Sequence, residues 1–168
     1  GMQDEPEPES QKEEHQSYSV YEQAQSYRAA KAVLQDIYAL DAEHAEAVKA
    51  LEQLWEEGYT VAAHQLGKFY RDDLSTLRDH EKAEHWFRRS AEAGNDFSEY
   101  ALGKLLLTQK RWDEAMEWLG KAADHGSQFA RYRLGKIYLV GESVPKDTEK
   151  ALAYLTASAD QGNQFAQY

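Results

Sequence analysis

Glycine placement constrains this chain more than any other feature. Gly58, Gly94, Gly126 and Gly162 each follow an alanine by eleven residues, at Ala47, Ala83, Ala115 and Ala151. Three of them are followed nine residues later by Gly67, Gly103 and Gly135, so seven of the ten glycines share one frame. Independent helices have no reason to share a frame, and a period of about 30–40 residues marks a chain built from stacked repeats.

Each unit reads as two helices. The first carries QLGKFY at 65–70, ALGKLL at 101–106 and RLGKIY at 133–138. The second carries KAEHWFRRSAEAG at 82–94, EAMEWLGKAADHG at 114–126 and KALAYLTASADQG at 150–162. Helical spacing places Ala83, Trp86, Phe87, Ser90 and Ala91 on one face. Ala115, Trp118, Leu119, Ala122 and Ala123 repeat that face, as do Ala151, Tyr154, Leu155, Ser158 and Ala159. Large residues alternate with small ones a turn away, which lets neighbouring helices approach closely. The closing glycines sit where a helix end calls for a left-handed residue. A glycine inside a helix costs about 1 kcal/mol against alanine. Its recurrence at 67, 103 and 135 therefore predicts a contact that a Cβ would block.

These features predict an all-α chain, an α/α solenoid of antiparallel helix pairs in a superhelical stack. Units are expected at about 24–58, 59–94, 95–126 and 127–162, within a repeat region spanning 19–168. YRAAKAVLQDIYALD at 27–41 aligns with the next unit when Leu34, Ile37 and Tyr38 are matched to Leu66, Phe69 and Tyr70. Gln35 replaces the frame glycine there, as expected of a capping repeat. NQFAQY at 163–168 matches NDFSEY at 95–100 and SQFARY at 127–132, and so opens a truncated fifth unit. That end, with Tyr154 and either Leu152 or Leu155 facing the fifth unit, is expected to self-associate, with Phe165 folding back on the last pair. Residues 1–18 hold six acids, one base and two prolines, and read as an acidic disordered linker led by a tag remnant.

Thirty acids against nineteen bases give a net charge of −11, which disfavours broad contact with DNA, RNA or anionic membrane. No apolar run approaches the roughly 20 residues of a membrane span. The absence of cysteine excludes a thiolate metal site and a cysteine nucleophile, and fits a reducing, cytoplasmic setting. His15, His44, His64, His80, His85 and His125 show no metal-ligand spacing. Phosphate loops and nucleophile elbows are absent too, so no catalytic residue, metal or cofactor is assigned. Trp86 and Trp118 fall in the repeated apolar column and read as core.

The frame ALGKLL, a variable loop containing VPKD, and the KALAYLTASADQG pattern together resemble the Sel-one-like repeat family, a relative of the tetratricopeptide repeats. That resemblance implies a protein-binding adaptor or scaffold rather than an enzyme. AHQLGKFYRDDL, EKAEHWFRRSAEAGNDFSEYALGKLLL and AYLTASADQGNQFAQY further resemble the repeat region of MobA/MobL-type mobilisation relaxases of Firmicutes conjugative elements. This narrower resemblance implies a bacterial cytoplasmic fragment of a plasmid or transposon mobilisation protein, whose nicking domain lies elsewhere. A DNA-contacting auxiliary domain of such a protein, or a stand-alone adaptor, remains the alternative.

Within this frame the first helices carry one column of His64, Tyr100 and Tyr132 and another of Lys68, Lys104 and Lys136. Members of each pair are four residues apart and share a helix face. If solenoid curvature makes that face concave, it forms a groove for a protein or peptide partner bearing carboxylates. The competing reading has these residues filling contacts between repeats. Neither reading involves a small-molecule substrate.

Overall fold

The alanine-rich faces form helices wherever the frame places them. The structure is a computed structural model describing residues 5, 6, 8–72 and 79–166, with backbone alone at 11–18 and 163–166. Among the described residues there are eight helices and no strand. They are α1 (Glu9–Gln35), α2 (Asp41–Glu56), α3 (Ala62–Arg71), α4 (His80–Glu92), α5 (Asp96–Thr108), α6 (Trp112–Asp124), α7 (Gln128–Val140) and α8 (Thr148–Ala166). The chain divides into two compact units, Gly1–Arg78 and Asp79–Tyr168.

In the first unit, α1 packs on α2 and α2 on α3. Helix α2 buries Ala47, Val48, Leu51 and Leu54, while α3 buries Leu66, Gly67, Phe69 and Tyr70. The buried His44 places Nε2 2.9 Å from the Asp36 carbonyl oxygen, and its ring meets the Phe69 ring edge-on.

Two features of this unit depart from the sequence expectation. Helix α1 begins at Glu9, inside the stretch assigned to a linker, with Pro8 as its N-cap. Glutamate, glutamine and lysine are good helix formers, and a carboxylate in the first turn complements the helix dipole. The helix then ends at Gln35, so Ile37 and Tyr38 do not serve as core and are 63% and 88% exposed. The stop is local. Asp36 leaves the helical region, and its Oδ1 accepts the Tyr38 N–H at 2.9 Å, an Asx turn that competes with helix continuation.

In the second unit, α4 to α8 pack in chain order, with the closest association within α5–α6 and α7–α8. Helix α4 buries Ala83, Trp86, Phe87, Ser90 and Ala91, and α6 buries Ala115, Trp118, Leu119, Ala122 and Ala123. On α8 the same face is looser: Ala151 and Ser158 are buried, Tyr154 and Leu155 half-buried, and Ala159 exposed. A Ser90–Ser98 hydroxyl bond of 2.6 Å joins α4 to α5 inside the core.

The frame glycines act in two ways. Gly58, Gly94 and Gly126 close helices with φ of 91°, 97° and 95°. In the turns after α4 and α6 the Asn95 and Ser127 N–H groups reach back to the Ser90 and Ala122 carbonyls, and each side chain caps the next helix. Gly162 departs from this role. Helix α8 runs through it to Ala166, because glycine adopts the right-handed helical conformation as freely as the left-handed one. The proposed Phe165 contact lies outside the described side chains.

Gly103 and Gly135 are buried inside their helices. A Cβ at Gly103 would stand 2.7 Å from the Leu119 side chain and 3.2 Å from the Leu119 nitrogen. At Gly135 it would stand 2.6 Å from Leu155 and 3.2 Å from the Ala151 carbonyl oxygen. Gly103→Leu is therefore expected to lower the unfolding free energy in urea by about 2–3 kcal/mol. Gly120 lies inside α6 with open space where its Cβ would be, so Gly120→Ala should raise it by up to about 1 kcal/mol. Equal effects of the two substitutions would contradict this packing.

Candidate functional site

Lysines and tyrosines of the repeat frame lie on one flank of α5 and α7, about 60–100° around each helix from the buried glycine. On α5, the Lys104 ammonium sits 4.9 Å from the centroid of the half-buried Tyr100 ring. On α7, the Lys136 ammonium sits 5.3 Å from the Tyr132 ring, which is 52% exposed. Both pairs follow from i,i+4 spacing and the attraction of a cation to a ring face.

Phe129 joins the two helices. Its ring stacks on Tyr100 at a centroid distance of 5.9 Å while remaining 64% exposed. Tyr100, Phe129, Tyr132, Arg133, Lys136 and Ile137 line a recess of about 240 Å³, completed by Val140 and by Glu142 and Ser143 of the loop after α7. That loop is held beside α7 by the left-handed Gly141 and by the bond from the Asp147 N–H to the Tyr138 carbonyl. The lining offers ring faces, two cations, a hydroxyl and one carboxylate.

Three sequence-predicted site residues, Tyr100, Tyr132 and Lys136, thus line one recess, and Lys104 lies over the first of them. His64 and Lys68 belong to the other unit. There Lys68 lines a separate recess of about 270 Å³ with Leu34, Gln35, Ile37, His44, Gln65, Phe69 and Asp72. His64 is held down to a pKa of about 4 by burial, and then by the positive charges of Lys68, Arg71 and Lys31.

The family model of the Sel1 repeat matches residues 60–95, 113–127 and 128–163, just over half of the chain. The chain belongs to the Sel1 repeat family. Among solved structures it is similar to a Sel1 repeat protein from Oxalobacter formigenes, at 26% identity and a TM-score of 0.68, covering 83% of this chain and 58% of that one. It is also similar in fold to c5321, a protective antigen of uropathogenic Escherichia coli displaying an SLR fold. That match has 24% identity and a TM-score of 0.71, covering 83% of this chain and 31% of the antigen. The chain spans less than two thirds of either structure's length. No curated protein sequence matches it.

Motif spacing in these Sel1 repeats misses two features of the surface. Phe129 is one; its signal is the phenylalanine recurring at 97, 129 and 165, of which Phe97 and Phe129 are exposed. The other joins Asp96 and Glu99 of α5 to His125 at the end of α6. Glu99 is only 3% exposed, and His125 Nδ1 lies 2.6 Å from its Oε1 and 3.4 Å from Asp96 Oδ1. Burial pushes the Glu99 carboxyl up, while the bond to Glu99 and its charge raise the His125 imidazole. His125 lies 26 residues from Glu99 and 29 from Asp96 in sequence, beyond the reach of motif spacing.

His64 makes the first unit sensitive to acid. Its folded-state pKa of about 4 lies below the ordinary 6.5, so the native state prefers the neutral ring. The resulting stability is present above pH 6.5 and is lost as pH falls through 4. Unfolding free energies in urea at pH 7.5, 5.5 and 4 should show His64→Gln losing up to about 2 kcal/mol less than wild type over that range. Parallel pH profiles for the two proteins would contradict this.

Proposed function

We propose that this Sel1 repeat chain is a non-catalytic protein-interaction scaffold, and that the exposed surface of α5 and α7 receives an extended acidic peptide. The observation that carries this reading is the recess at Tyr100, Phe129, Tyr132 and Lys136. A protein with a net charge of −11 exposes there two aromatic rings beside Arg133 and Lys136. Exposed rings clustered with cations are what a docked peptide would desolvate, and carboxylates would answer the cations. Lys68 lines a separate recess in its own unit, beside Phe69.

The bacterial cytoplasm is the setting we propose, in keeping with a cysteine-free chain. Among the described residues no helix is long and apolar enough to cross a membrane. The narrower reading, in which this scaffold forms part of a mobilisation relaxase, is supported by the sequence strings alone. The family match and the solved structures do not bear on it.

An array of eight-residue peptides mixing aspartate, glutamate and aromatic residues tests the proposal. Binders are expected, and Lys104→Ala/Lys136→Ala should weaken them at least about tenfold. Far-UV circular dichroism should be unchanged. Peptides bound equally well by wild type and variant would move the binding surface away from α5 and α7.

A further inference from the structure

The Asp96–Glu99–His125 cluster lies outside the proposed peptide surface. Two carboxylates from the first turns of α5 and one imidazole from the end of α6 present donor atoms that all lie within 4.8 Å of one another. Bond lengths to a bound zinc ion are about 2.0–2.2 Å, so ligand atoms at tetrahedral positions stand about 3.4 Å apart. The side chains of Asp96 and His125 are each 53% exposed, whereas Glu99 lies in the interior and holds His125 through the 2.6 Å bond. Bringing all three donors onto one sphere around an ion requires the His125–Glu99 hydrogen bond to open and the two exposed side chains to turn.

The neighbouring repeat shows what this place in the fold accommodates. By the repeat offsets, Asp96, Glu99 and His125 correspond to Gln128, Arg131 and Gln161. Arg131 there donates to Gln161 Oε1 at 2.9 Å and to the Ala123 carbonyl at 3.1 Å, and Gln161 Nε2 donates to the Gly126 carbonyl at 2.7 Å. One repeat therefore builds a positive charge into the seam between its first helix and the end of its second. The preceding repeat replaces that cation with a buried carboxylate, a second carboxylate and an imidazole. We propose that Asp96, Glu99 and His125 form a binding site for a divalent transition metal ion of the zinc class, which displaces the proton shared between Glu99 and His125. The mixed nitrogen and oxygen donors favour such an ion over magnesium, which takes oxygen ligands and keeps its waters. Three protein ligands at a half-open position leave the remaining coordination to water.

The test is calorimetric titration of the full chain with zinc chloride, with magnesium chloride as the control. Wild type should bind one zinc ion per chain and no magnesium. His125→Gln introduces the residue found at 161 on an exposed turn. The Glu99→Arg/His125→Gln pair reproduces an arrangement the fold already holds at 131 and 161. Both variants should keep the wild-type far-UV circular dichroism and lose at least about tenfold in zinc affinity. Absence of saturable zinc binding by wild type overturns the proposal. So does zinc binding of wild-type strength in either variant, which would assign it to other histidines.

Discussion

The second unit depends on the seating of one leucine against one glycine within the α5–α6 and α7–α8 pairs. Leu119 lies against Gly103, and Leu155 against Gly135, at distances where a Cβ would overlap the leucine side chain. The Leu119 backbone nitrogen and the Ala151 carbonyl oxygen stand close behind, so the approach is between helices and not merely between side chains. The intrinsic cost of a glycine inside each helix is offset by burial that a larger residue would prevent. In the α5–α6 pair the contact is sealed, with Leu102, Leu106 and Leu119 fully buried. In the last pair it is looser, with Leu155 half-buried and Leu152 57% exposed.

That contact also decides which residues reach the surface. Each residue advances about 100° around a helix, so a buried glycine places the lysine after it about 100° away and the tyrosine three before it about 60° away, on the same flank. Tyr100 lies partly against the Leu119 core and partly against Phe129, which is how a repeat residue serves packing and surface at once. Turns between repeats are held to fixed length by left-handed glycines at 58, 94 and 126. Turns inside repeats vary. The short one between α5 and α6 places Lys110 at φ 59°, a left-handed conformation that a non-glycine residue adopts at some cost, while the longer one after α7 uses Gly141.

The helix pairs, their buried faces and the close approach of Gly103 and Gly135 are legible in the sequence because they repeat, and repetition separates structural need from chance. Features set by a single local bond are not. The Asx turn at Asp36 ends α1 before Ile37, although the repeat alignment extends the helix through it. Gly162 sits on the frame yet continues α8, because frame position fixes the residue and not its backbone angles. Of the surface residues, Tyr100, Tyr132 and Lys136 are found through the frame. Phe129 and the Asp96–Glu99–His125 cluster emerge only when two helices are brought together.

A double-mutant cycle on Gly103→Ala and Leu119→Ala measures the central contact most directly. Leu119→Ala alone should cost about 2–5 kcal/mol, the range for emptying a buried leucine site. If Leu119 occupies the space denied to a Cβ at 103, the two substitutions relieve each other. The double variant should then be more stable than the sum of the single losses predicts, by at least about 1 kcal/mol. Additivity within about 0.5 kcal/mol would show that the two residues do not compete for that space, and would contradict glycine-mediated approach as the basis of the helix pair.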